Sequence, residues 1–131
     1  MRENPLSKLL ALTSKNNEID KKRGEEKFLR LDFALDEIAK EIEEVRAEIK
    51  ENNIPHLEDE LGDILWGWLM LVSKLEDAGY VASVDAIIER CERKYTERVG
   101  VLKGDKSDRE SWKRIKERQK EALVIESRNI L

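Results

Sequence analysis

The chain has 131 residues, a net charge of −4 and 41% charged residues, which is one domain's worth of polypeptide able to bury roughly two-thirds of its unfolded surface. A single domain over 1–131 is therefore expected, without the broad basic footprint that polynucleotide binding requires. The longest apolar run, 64–72, is far short of the ~20 residues that span a bilayer, and with no signal peptide expected and Cys91 the only cysteine, a reducing, cytoplasmic setting without a disulfide or membrane partner is the expectation.

In chain order, residues 5–13 carry Leu6, Leu9, Leu10 and Leu12 and should dock as a short helix. The polar stretch 14–26 reads as a mobile connection. From Phe28 the apolar positions Phe28, Leu31, Leu35, Ile38, Ile42, Val45 and Ile49 alternate steps of three and four, which marks one helix with one buried seam. Glu41, Glu44 and Glu48 follow the same rhythm on a neighbouring stripe that flanks the core. Residues 51–55, with two Asn and a Pro, end that helix and let another begin. An antiparallel hairpin results, in which Glu44 faces Asp63, Glu48 lies level with Glu60, and Glu41 with Gly67. Between Leu61 and Leu75 the second arm is apolar on nearly every side, and such a helix must be buried on every side.

After Gly79 and Tyr80 a helix over about 83–95 should bury Val84, Ile87, Ile88 and Cys91 while presenting Arg90 and Lys94 on one face. A last helix follows the loop 104–108, with Asp108 or Ser107 as its cap, and sets Trp112 and Lys116 one turn apart. The spacing throughout leaves no convincing strand pair. The expected fold class is all-α, a four- to five-helix bundle in which the hairpin carries a metal site.

The acids suggest the chemistry. Glu41 and Glu44, then Glu60 and Asp63, place carboxylates three residues apart on each arm of the hairpin, so that several converge between two helices. Like charges a few Å apart in a partly dry site cannot all stay ionised, and a divalent cation resolves the conflict. All-oxygen ligands with water suit Mg²⁺ or Mn²⁺, whereas Zn²⁺ prefers nitrogen and sulfur. A di-iron site needs Glu-x-x-His on two helices, and the single His56 follows Pro55 outside any such motif. Mg²⁺ on a few carboxylates leaves open positions for substrate phosphates, which points to phosphoryl chemistry.

These residues carry a resemblance. From about 28 to 103, and less clearly to 116, the chain resembles the MazG-like all-α nucleoside triphosphate pyrophosphohydrolases, whose signature is Glu-x-x-Glu, a hairpin, then Glu-x-x-Asp. Here that reads Glu41, Glu44, Glu60 and Asp63, and the stretch Asp59-Glu60-Leu61-Gly62-Asp63-Ile64-Leu65 matches the second motif closely. The resemblance implies that the four acids hold Mg²⁺ on the phosphates of a nucleoside triphosphate, that monophosphate and pyrophosphate are the products, and that the role is cleansing of the nucleotide pool. It implies phosphate contacts from Arg90 and Lys94, and contacts near the base from Trp112 and Lys116. Glu48 is a further catalytic candidate, as an outer ligand or as the group that orients the attacking water. Two features depart from the family pattern: Lys40 precedes Glu41 where two successive Glu are common, and the Cys-Pro-Trp-Asp segment near the start of many members is missing.

Two alternatives stand beside this reading. One is a non-enzymatic helical interaction module whose seam zips to a partner helix; the other, within the same superfamily, is hydrolysis of phosphoribosyl-ATP. The apolar girth of the second arm further leads us to expect a homodimer, possibly paired again into a tetramer, since two-fold dimers are the commonest assembly.

Overall fold

Asn4 and Gly24 fix the ends of the first helix in the computed structural model, which describes residues 4–129. The Asn4 side chain accepts a hydrogen bond from the Leu6 amide, and Pro5 stands at the first helical turn, where its missing N–H costs nothing. At the other end Gly24 adopts φ 68°, a left-handed conformation that glycine reaches without strain, and its N–H closes on the Asp20 and Lys21 carbonyls. The helix between, α1 (Pro5–Arg23), thus runs straight through the stretch expected to be a mobile connection. Its inward positions beyond the leucines are Thr13, Asn17 and Asp20, all buried. A polar helix face that meets polar partners leaves no hydrophobic rhythm to read.

A short turn, α2 (Glu26–Leu29), follows, and Arg30 in extended conformation separates it from α3 (Leu31–Glu48). Phe28 therefore belongs to its own turn rather than to the first turn of α3, and it packs edge-on against Phe33 with centroids 5.2 Å apart. Asn52, at φ 54°, turns the chain. Asn53 then closes the hairpin by donating from Nδ2 to the Glu48 carbonyl at 2.8 Å and to Glu48 Oε2 at 2.7 Å. Helix α4 (Ile54–Asp77) returns along α3 with Pro55 in its first turn.

Helix α4 packs against both α3 and α1, and it supplies most of the core: Leu69, Met70 and Val72 are buried, joined by Ala34 of α3. At Gly67 a Cβ would meet Ile38 Cγ1 at 3.1 Å, so the two arms approach closely there. The hairpin closes earlier than expected, at Glu48 rather than near residue 51. The facing register shifts accordingly, and Ile38, not Glu41, lies opposite Gly67.

These elements make one compact unit, ending at Val84; a second unit begins at Asp85 and holds α5 (Val84–Gly100) and α6 (Asp108–Asn129). Polar groups join its two helices. Arg90 meets Glu126 through two hydrogen bonds at 2.9 and 3.1 Å, Gln119 bonds Arg98, Glu97 and the Lys94 carbonyl, and Arg118 pairs with Glu97. Ile115 is buried, but Ile88 and Cys91 are exposed within the chain, contrary to the apolar face expected for α5. Asp108 accepts from the Lys103 and Gly104 amides, so its carboxylate organises the preceding loop. The architecture is all-α, with six helices and no strand among the described residues.

Candidate functional site

Three carboxylates converge where the arms of the hairpin face each other. Oxygen atoms of Glu41 on α3 and of Glu60 and Asp63 on α4 all lie within 4.8 Å of one another. The cause is periodicity: Glu60 and Asp63 are three residues apart and share a face of α4, while Glu41 flanks the α3 seam that packs there. Glu44, one turn further along α3, neighbours both Glu41 and Glu60 and adds its charge to theirs.

The electrostatics are those of an unbalanced site. Oε2 of Glu41 and Oε2 of Glu60 are both buried without a hydrogen-bond partner, an arrangement that natural proteins rarely leave uncompensated. Burial pushes the Glu41 carboxyl up to about 7, helped by the neighbouring Glu44 and by repulsion from Asp63 and Glu60. Burial, followed by the same neighbours, raises Glu60 as well. Among the described residues, none of these acids forms an ion pair with a basic side chain. An orphaned, all-oxygen donor set fits a hard divalent cation.

Glu48 stands apart from this cluster. Asn53 occupies its Oε2, and that hydrogen bond, before the lesser effects of Lys50 and His56, holds its carboxyl below the ordinary range.

A cavity of about 390 Å³ opens beside the acids and lies within the first unit. Asp63, Trp66, Gly67, Met70 and Lys74 line it from α4, a single stripe at steps of three and four, and Glu41 lines it from α3. Phe28 and Phe33 supply an aromatic wall. Gly67 thus both allows close helix approach and borders open space. Hydrophobic spacing alone did not reveal the cavity, because α1, which closes it, looked like a connection.

In the second unit, Arg90 is committed to Glu126, and this pairing raises the guanidinium's proton affinity while lowering that of the carboxyl. Lys94 lies over the Tyr95 ring at 5.4 Å and makes no ion pair among the described residues. Trp112 is half-buried, 6.3 Å from the Tyr95 ring, and Arg98 sits over both rings at 5.4 and 5.6 Å. Lys116 is exposed. Arg98, outside the expected pair Arg90 and Lys94, is the buried basic residue of α5, donating to Gln119 at 2.8 Å. Its signal was its place four residues beyond Lys94, on the stripe facing Trp112.

Among the described residues, no helix is long and apolar enough to cross a membrane. Comparison with curated proteins and with solved structures gives no match. The family model of the MazG nucleotide pyrophosphohydrolase domain does match, over residues 32–100, which takes in both acidic pairs and the whole hairpin that sets them face to face. With more than half its length in that match and its carboxylates gathered where the two motifs meet, the chain belongs to the MazG nucleotide pyrophosphohydrolase family.

Proposed function

We propose that the protein hydrolyses the α–β phosphoanhydride of a nucleoside triphosphate, canonical or aberrant, to monophosphate and pyrophosphate in a Mg²⁺-dependent reaction. The observation that carries this reading is the convergence of Glu41, Glu60 and Asp63, two of them with unpaired buried oxygens, at the edge of an aromatic cavity. Those three residues would hold the ion, with Mn²⁺ a workable substitute, and Glu44, one turn along α3 from Glu41, would complete the cage. When bound, Mg²⁺ supplies charge neutralisation for the phosphates and lowers the pKa of a water toward nucleophile range.

The chain's own residues do the rest by placement. The carboxylates fix where the phosphates dock, and the cavity takes the nucleoside between Phe28, Phe33 and Trp66. Phosphoryl transfer asks little covalent work of a protein, so positioning and electrostatics supply most of the rate. Glu48 would act only from a distance, by anchoring the turn that sets the register of the acids. Phosphate contacts from Arg90 and Lys94 rest on the resemblance alone; Arg90 is paired with Glu126, and Lys94 carries no ion pair among the described residues. Contacts near the substrate from Trp112 and Lys116 rest on the resemblance alone. Cleansing of the cytoplasmic nucleotide pool is the corresponding role.

We further propose a homodimer, or a tetramer built from two such dimers. Leu35 and Ile42 on α3 and Ile49 just past its end repeat every seven residues, and Ile54, Leu61 and Leu65 follow on α4; all six are exposed in the single chain. A second copy covering that stripe would remove it from water.

The test is a panel of nucleoside triphosphates with Mg²⁺, with products separated by chromatography. Monophosphate and pyrophosphate in equal amounts are expected. Diphosphate with inorganic phosphate, or no turnover of any member, would overturn the assignment.

A further inference from the structure

The cavity beside the acids is closed at its far end by a polar group of a different kind. Along α4, Asp63 and Lys74 both line it eleven residues apart, about 16 Å of helix axis at about 1.5 Å per residue. At the Lys74 end α1 contributes Asn16 and Asp20. The side chains of Lys74 and Asp20 are only 7% and 11% exposed, and they approach to 3.5 Å, longer than a closed charge-assisted hydrogen bond of about 2.7–2.9 Å. Lys74 makes its better bond to Asn17 Oδ1 at 3.1 Å. Asp20 accepts no side-chain hydrogen bond among the described residues. The Asn16 amide donates only to the Met70 sulfur, at 3.7 Å, a weak acceptor. Three buried or half-buried polar side chains thus border open space with hydrogen-bonding capacity unspent, a situation folded proteins ordinarily avoid.

From this geometry we infer that Asp20 and Lys74, with Asn16 in the wall beside them, read the edge of the nucleobase, and that they favour a 2-amino-6-oxopurine, guanine or its oxidised forms. The inference rests on the nucleotide reading of the metal site. A carboxylate offers two acceptors and no donor, and an ammonium offers donors and no acceptor. The guanine edge presents two adjacent N–H donors followed by a carbonyl, so Asp20 receives N1–H and N2–H together while Lys74 donates to O6. Adenine and cytosine present an amino group beside a bare ring nitrogen, and uracil offers one N–H between two carbonyls. Each of these leaves one Asp20 oxygen unpaired in a nearly dry pocket, and a site built to pair its polar groups rejects ligands that leave them unpaired. Phe28, Phe33 and Trp66 line the space in which the ring stacks.

The experiment is calorimetric binding, with Mg²⁺, of the α,β-methylene triphosphates of guanosine, inosine, adenosine, cytidine and uridine, which cannot be cleaved at the α–β position. For the wild-type protein the guanosine analogue should bind at least about tenfold more tightly than the adenosine, cytidine and uridine analogues, with inosine between, on the scale of one well-placed bidentate pair. Asp20→Asn should reduce the guanine-to-adenine ratio at least about tenfold. Should that variant fail to fold, Asn16→Ala, which removes only a wall group, should still reduce the ratio by a smaller factor. No ordering by base in the wild-type protein, preference for adenine or cytosine, or an equal loss for every analogue would overturn the proposal. Guanine-selective binding without turnover of the natural triphosphates would sink the hydrolysis reading and leave this one standing; turnover without base order would do the reverse.

Discussion

Helix α4 serves two neighbours and meets them with opposite materials. Its Leu69 is buried in the apolar core, and toward α3 it presents Gly67 to Ile38, with Glu60 and Asp63 at the rim beside acids of the same sign. Toward α1 it presents Lys74, which meets Asp20 and Asn17 in the interior, and Asp77, which meets Asn17 and Lys21. The second contact is balanced: each charge has a partner of opposite sign. The first is not, and its repulsion is tolerable only if something absent from the chain offsets it. A charge removed from the first contact should relieve the fold, whereas one removed from the second should damage it.

The largest expected effect follows from the unbalanced side. Glu41→Gln or Asp63→Asn keeps shape and deletes an anionic ligand, so pyrophosphate release should fall by at least about 10²-fold, while the metal-free variants melt at or above the wild-type temperature. Retained turnover with a lowered melting temperature would make the acids structural.

The balanced side gives the next effect, on stability. Lys74→Ala leaves Asp20 buried without its cation and should cost about 3–5 kcal/mol in denaturant unfolding, the scale for breaking a buried pair. The double change Lys74→Met with Asp20→Leu should recover most of that loss, because no charge is then left unpaired. Leu69→Ala, on the apolar side, should cost about 2–5 kcal/mol by leaving a cavity, and no second change at a polar position should rescue it.

How far each contact can be read from the chain follows from the same difference. The α3–α4 hairpin announces itself through its three-four apolar rhythm, and Glu41, Glu60 and Asp63 fall on it at helical spacing. Two details escaped: α3 stops at Glu48 because Asn53 captures its carbonyl, and Arg30 detaches Phe28 into a separate turn. Helix α1 past Thr13 could not be read, because what it buries is Asn17 and Asp20, whose partners lie more than fifty residues away. A periodicity of hydrophobic residues carries no information about a polar interface. The same holds for α5, where Arg98 is buried and Cys91 is not.

A smaller effect concerns pH. Glu41 ordinarily titrates at 4.5 and is raised to about 7 in the fold. Below pH 4.5 both folded and unfolded chains hold its proton; between 4.5 and 7 only the folded chain does, so metal-free stability should fall as pH rises through that window and level off above it. Thermal melts from pH 4.5 to 8 should show this decline without Mg²⁺ and recovery with it, and Glu41→Gln should flatten the profile. The smallest change expected is from Asn53→Ala, about 1 kcal/mol for the lost hydrogen bonds to Glu48, with activity lowered only as the register of the hairpin loosens.

The most direct test of the account is pyrophosphate release measured against Mg²⁺ concentration for the wild-type protein and for Asp63→Asn, with melting temperatures recorded on the same samples. The account predicts saturable dependence on Mg²⁺ for the wild-type protein and loss of release in a variant that melts no lower. Release that persists in EDTA, or that survives Asp63→Asn unchanged, would contradict it.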